Sequence, residues 1–251
     1  MRKISLLNFK GGVAKSTTAI NLGHALALEG KNILLVDCDL QANTSTFLPE
    51  PHKPTLTHVL REQARPLDAI ANARANLDIL PADGDLDKAA RYIASEGHQA
   101  YYILQRAMKE LERLGAYDFV FFDHSPSYSA VSQAALLASD EMLIPCELGS
   151  FSIEGLLQMF EKLQQTLTNH TLAMTGILPT KLNTSIAMHK SYVQDLQETF
   201  SGQVLPPIRQ DAEIGKAQSY HQSIYEYNPR SRAAEDYKTL AHMLLKAQVT
   251  A

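Results

Sequence analysis

Apolar and polar positions along the chain fall into two kinds of segment. Short runs that are apolar at consecutive positions read as strands: Ile4–Asn8, Asn32–Asp37, Leu77–Pro81, Phe119–Asp123, Glu141–Pro145 and Ala173–Pro179. Between them lie longer stretches with helical spacing. Ser16–Glu29 places Ala19, Leu22 and Leu26 on one face, and similar patterns cover about 83–114, 127–138, 151–168, 187–200 and 231–247. Strands without alternation are buried on both faces, and strands alternating with helices build a parallel sheet covered on both sides. Right-handed crossovers then give an α/β, doubly wound, mostly parallel sheet flanked by helices, with ligands at the carboxyl ends of the strands. No repeat, low-complexity tract or linker interrupts the pattern, so residues 1–251 are expected to form a single domain.

The first strand runs into Lys10-Gly11-Gly12-Val13-Ala14-Lys15-Ser16-Thr17, and the second periodic stretch follows at once. A glycine-hinged turn between a strand and a helix N-terminus is the arrangement that aims backbone N–H groups and a positive dipole end at phosphate. Lys15 is then placed for the β- and γ-phosphates, the Ser16 hydroxyl for Mg²⁺ and Thr17 for the α-phosphate. The chain departs from the ordinary G-x-x-x-x-G-K-[ST] spacing, with Phe9 and Ala14 at its glycine positions. It fits the deviant form K-G-G-x-x-K-[ST], whose extra lysine is Lys10. Ala14 must hold a backbone angle that glycine takes without cost.

Carboxylates follow at two further strand ends. Asp37 and Asp39 are two residues apart after the second strand and are expected to leave the sheet edge in the same direction. Asp37 is expected to hold Mg²⁺ through water, and Asp39 to orient or deprotonate an attacking water. Phe119-Val120-Phe121-Phe122-Asp123 has the form of a Walker B strand, with Asp123 on a metal-bound water. His124 follows directly; it reads either as a base or as an ordinary variable position of that motif.

Composition narrows the setting. Charged residues make up 20% of the chain and the net charge is −4, so a nucleic-acid footprint has to be a local patch. Residues 1–180 carry 15 Lys+Arg against 20 Asp+Glu and residues 181–251 carry 8 against 7, which points to the last third. Cys38 and Cys146 lie in or beside apolar runs and form no C-x-x-C pair, which reads as two buried thiols. No run reaches transmembrane length and no signal-peptide pattern opens the chain, so a cytoplasmic protein is expected.

On these motifs the chain resembles the ParA and MinD ATPases, the deviant Walker A branch of the P-loop proteins. Small ParA-type partition and positioning ATPases, including the kind that distributes carboxysomes, are the nearest form. The second-strand segment D-x-D-x-Q is similar to that family's D-x-D-P-Q-G-N, with Leu40 and Ala42 replacing Pro and Gly while Gln41 and Asn43 match. Ser139–Glu147, Ser152–Leu156 and Tyr227–Tyr237 resemble later family segments. The resemblance implies an ATP- and Mg²⁺-dependent hydrolase, slow without a partner, that dimerises on binding ATP. Lys10 would then reach the nucleotide of the partner and act with Lys15 and Asp39 in catalysis. It also implies adenine contacts from Asn183 and from the segment Pro207–Asp211, with Asp211 as candidate. As a dimer such a protein binds DNA non-specifically on the nucleoid and is released by a small ParB-like or other adaptor. Lys181, Lys190, Arg209, Lys216, Arg230 and Arg232 are the candidate DNA contacts, and the cargo can be a plasmid, a chromosome or a protein assembly. With the loop starting at residue 10, no preceding helix-turn-helix domain is expected. Other branches stay open: a MinD-like membrane ATPase, disfavoured by the single lysine of Leu244–Ala251; a metal-cluster carrier, disfavoured by the cysteine spacing; and a biosynthetic ligase or amidase, for which the length leaves little room.

Overall fold

The computed structural model describes residues 1–148, 153–167 and 170–247. Ser152, the first residue of one family-like segment, and the terminal residues 248–251 lie outside them. Among the described residues seven strands form one sheet: β1 (Arg2–Leu6), β2 (Ile33–Cys38), β3 (Ala71–Arg74), β4 (Leu77–Leu80), β5 (Phe119–His124), β6 (Glu141–Glu147) and β7 (Ala173–Thr180). The spatial order is β3-β4-β2-β5-β1-β6-β7. Every neighbouring pair is parallel except β3–β4.

The alternation of side chains explains the two buried faces. Ile33, Leu35, Phe119 and Phe121 point into the core under α1 (Lys15–Leu28) and α11 (Arg232–Ala247). Leu34, Val36, Val120 and Phe122 point the other way, onto α4 (Leu86–Ser95), α5 (Ile103–Arg113) and α6 (Ala130–Ala138). Every residue of β2 and β5 is buried. Helix α1 lies so close to the sheet that a Cβ on Gly23 would come within 2.9 Å of Leu35 Cδ2. This close seat fixes where the helix N-terminus stands.

Two expectations are corrected. The stretch 83–114 is not one helix: α4 ends at Ser95, Gly97 takes φ 80°, and a 3₁₀ turn over His98–Tyr102 leads into α5. Strand β3 was not expected. Its sequence, ANAR, carries no apolar run, because it is an edge strand with a bulge against β4. The short helices α2 (Leu56–Leu60) and α3 (Pro66–Ala69) also carry too few residues for a periodic signal. Beyond β7 come α8 (Ala187–Thr199), α9 (Ala212–Ser219) and α10 (Ile224–Tyr227), of which the last two close over α1.

Candidate active site

The carboxyl ends of β1, β2 and β5 meet where the chain crosses from one side of the sheet to the other, the place at which open α/β sheets bind ligands. A cavity of about 860 Å³ opens there. Gly11, Gly12, Ala14, Lys15, Ser16 and Thr17 form one wall; Asp39, Gln41 and Asp211 stand on others.

The loop has the anion-binding form. Gly12 takes φ 77°, and Ala14, the residue before α1, takes φ 70° and ψ 32°. The first helical bond runs from Thr18 N–H to the Ala14 carbonyl at 2.9 Å. No described residue accepts a hydrogen bond from the N–H groups of Val13 through Thr17. These orphan donors sit at the positive end of a helix beside the cavity, which suits a polyphosphate. Lys15 is only 6% exposed, and its ammonium donates to the Lys10 carbonyl at 3.0 Å. Burial pulls its pKa below the usual lysine value, against the opposing pull of Asp123 and Asp39.

The three carboxylates differ in role. Asp39 stands on the cavity wall, with one oxygen accepting the Gln41 N–H at 3.0 Å. Asp37 is fully buried beneath the wall. Its oxygens accept from Asp39 N–H at 3.1 Å, Ser45 N–H at 2.7 Å and the Ser45 hydroxyl at 2.6 Å, so it anchors the segment that carries Asp39. Asp123 accepts the Thr44 hydroxyl on Oδ2 at 2.7 Å, while Oδ1 is buried without a hydrogen-bond partner among the described residues. Burial raises both the Asp37 and Asp123 carboxyls above the usual range; the Asp123 charge adds to the effect on Asp37, and the Ser16 and Thr44 hydroxyls and Lys15 oppose it on Asp123. An orphaned, desolvated carboxylate oxygen near a serine hydroxyl and a phosphate loop is a setting that a divalent cation relieves, so the residues present fit Mg²⁺.

His124 lies buried, off the cavity wall, in the place of an ordinary packed residue rather than of a base. It is fully buried, and burial with the Lys15 charge pushes its pKa down to about 3. Its Nε2 lies 2.8 Å from the Ser5 hydroxyl, which lies 2.7 Å from the Ser139 hydroxyl, and Ser139 donates to the Ala135 carbonyl at 2.8 Å. The direction that leaves no buried proton unbonded runs from His124 Nε2–H through Ser5 and Ser139 to that carbonyl. The unpartnered Nδ1 is then a bare acceptor.

The remaining candidates spread out. Thr17 Oγ1 accepts Gln218 Nε2 at 2.8 Å, a contact from α9 that the local pattern could not reveal. Asp211 caps α9 through the Glu213 N–H and also accepts the Ala233 N–H. Asn183 stands in an adjoining pocket of about 340 Å³ that shares Arg209 and Gln210 with the main cavity and is also lined by Arg232. Of the basic candidates, Arg209 is held by Asp236 and Glu235, Lys216 by Glu213, and Arg232 lies 4.0 Å from Asp211. Lys190 and Arg230 are exposed and make no ion pair among the described residues. Lys181 is partly exposed, lines the cavity wall, and its ammonium donates to the Gly12 carbonyl and to Glu147. Cys38 and Cys146 are buried thiols. Burial pushes Cys38 well above its ordinary value and Cys146 up to about 12. No group of three or more His, Cys, Asp or Glu side chains placed to hold a metal ion occurs among the described residues, and none of the described helices is long and apolar enough to cross a membrane.

Comparison with known proteins agrees with this geometry. The AAA domain family (AAA_31) matches residues 1–174. The sporulation initiation inhibitor protein Soj of Bacillus subtilis is 32% identical over 245 residues, covering 95% of this chain and 96% of that protein. The chromosome partitioning protein ParA of Caulobacter vibrioides is 29% identical over 255 residues, covering 99% and 95%. A structure of cobyrinic acid a,c-diamide synthase from Mycobacterium smegmatis with a bound ATP analog and magnesium aligns with a TM-score of 0.82 at 26% identity, covering 98% of this chain and 95% of that one. A protein bearing a biosynthetic name thus has this chain's length, so length does not separate the ligase reading from the others.

Proposed function

From the premise that the chain belongs to the ParA-type AAA domain family of P-loop ATPases, we propose that it is a nucleotide-switched dimer that binds DNA without sequence preference and positions a cargo. It is an ATP hydrolase that takes ATP with Mg²⁺, of the partition and positioning class. The backbone donors of Val13–Thr17 and the Lys15 ammonium bind and orient the phosphates. Asp39, on the cavity wall and anchored through Asp37, orients the attacking water. The Ser16 hydroxyl and Asp123 would hold Mg²⁺, which would supply positive charge against the phosphates when bound.

The observation that carries the dimer is the place of Lys10. It belongs to the loop yet is not on the wall of its own cavity, and its charge is felt at Cys146 on β6. In this reading the loop's extra lysine meets the nucleotide of a second copy facing it, where it adds positive charge to the transition state. DNA affinity then belongs to the dimer. The exposed Lys190 and Arg230 are its first candidates, because Arg209, Lys216 and Arg232 already face carboxylates. The protein works in the cytoplasm on the nucleoid, and a small adaptor speeds hydrolysis and releases it. A plasmid, a chromosome or a protein assembly fits as cargo.

The test is binding to random-sequence duplex DNA with ATP, with ADP and without nucleotide, across a salt series. The reading expects binding with ATP only, falling steeply with salt, and weakened by Lys190→Glu and Arg230→Glu. Liposome binding in place of DNA binding at low salt contradicts it.

A further inference from the structure

We infer that Thr180 and Lys181, where β7 ends, are positioning residues that hold the phosphate loop open for nucleotide, with Glu147 setting Lys181 in place. The Lys181 ammonium donates to the Gly12 carbonyl at 2.8 Å and to Glu147 Oε1 at 2.9 Å. The neighbouring Thr180, 1% exposed, donates from its hydroxyl to the Val13 carbonyl at 3.2 Å. Two consecutive residues of β7's end thus grip two consecutive carbonyls of the loop.

A planar trans peptide makes that grip directional. The carbonyl of one residue and the N–H of the next point in opposite directions. Holding the Gly12 carbonyl toward Lys181 aims the Val13 N–H away from it, and holding the Val13 carbonyl toward Thr180 does the same for the Ala14 N–H. Neither N–H has an acceptor among the described residues. Without such a grip the loop has reason to relax. Ala14 sits at φ 70°, a conformation that costs an L-residue about 1–2 kcal/mol. Lys181 itself takes φ 56°, so strain is held on both sides of the contact.

The sheet supplies the third part. Glu147 pairs with Thr180 in the β6–β7 register, which sets the carboxylate next to the lysine that follows. Lys181 also lines the same cavity as Lys15, so its charge faces the polyanion as well as the loop. The inference rests on the loop being the nucleotide site, but on neither dimerisation nor DNA binding.

Calorimetric titration of the full chain with Mg-ADP tests it, since a diphosphate requires neither a dimer nor DNA. Lys181→Met removes a charge-assisted bond and is expected to weaken Mg-ADP about tenfold or more. Thr180→Val is expected to shift it in the same direction by less, and Glu147→Gln to fall between wild type and Lys181→Met. Lys181→Arg, which keeps charge and donors, is expected to recover most of the affinity at an unchanged melting temperature. Lys15→Ala is the reference for the loop itself. If Lys15→Ala loses Mg-ADP while Lys181→Met binds it as wild type does, the inference is overturned and the nucleotide site stands. If Lys181→Met and Lys181→Arg weaken binding equally with a matching loss of melting temperature, Lys181 is only a structural prop and the inference is likewise overturned.

Discussion

Lys15 and Lys10, the two lysines of the loop, are joined through the Lys15 ammonium and the Lys10 carbonyl at 3.0 Å. That bond satisfies a cation buried at the helix N-terminus. Lys15→Ala removes a cation that the loop turns into the cavity. ATP affinity is expected to fall by about two orders of magnitude, measured by calorimetry with Mg-ATP. Wild-type affinity in this variant would remove the loop from the site.

Asp39 stands on the cavity wall, while Asp37 and Asp123 are fully buried. Asp39→Ala is therefore expected to keep ATP binding and to lower turnover by about 10² or more, the usual contribution of a positioned base. Phosphate release in single turnover checks this, and unchanged turnover would exclude Asp39 from the chemistry.

Ala14 occupies a left-handed conformation with no glycine to ease it. Ala14→Gly relieves about 1–2 kcal/mol of backbone strain and gives back part of it as freedom in the unfolded chain. A net gain of about 0.5–1 kcal/mol is expected in urea unfolding. A loss of stability would mean that the Ala14 methyl packs usefully.

Asp37 and Asp123 carry raised pKa values in the fold, first because both are buried. The folded chain thus holds protons that the unfolded chain has released, so the fold loses stability as pH rises from the ordinary carboxylate value through the raised ones. Without Mg²⁺ and nucleotide, the melting temperature should fall across that window. Asp123→Asn removes one charge and relaxes Asp37, and its slope should be shallower than that of wild type. Because Glu141 and Glu226, lowered by their arginine partners against burial, act in the opposite sense, the difference between the two proteins is the quantity to read. Parallel slopes would contradict the raised values.

What the sequence made legible was what local pattern dictates. Strands such as Ile33–Cys38 are apolar throughout because helices cover both faces. The loop is legible because glycine, lysine and hydroxyl must stand in fixed order at one helix start. Edge strand β3 stayed hidden because half its surroundings are solvent. Long-range partners stayed hidden as well: Ser45 beneath Asp37, Thr44 on Asp123 and Gln218 on Thr17 are brought together only by tertiary folding. The contact of Lys181 with the loop stayed hidden for the same reason, since its partners Gly12 and Glu147 are far from it in sequence. Asp37 and Asp39 were expected to point the same way, whereas the half-buried Ser45 holds Asp37 while Asp39 stands on the cavity wall.

The account stands most directly on what ATP does to the size of the molecule. Light scattering on the Asp39→Ala chain with Mg-ATP, in which hydrolysis is slowed, should give a dimer with ATP and a monomer with ADP. The Asp39→Ala, Lys10→Ala double variant should bind ATP yet stay monomeric. A monomer under all three conditions, or a dimer indifferent to nucleotide and to Lys10, would contradict the proposal that ATP joins two copies through this lysine.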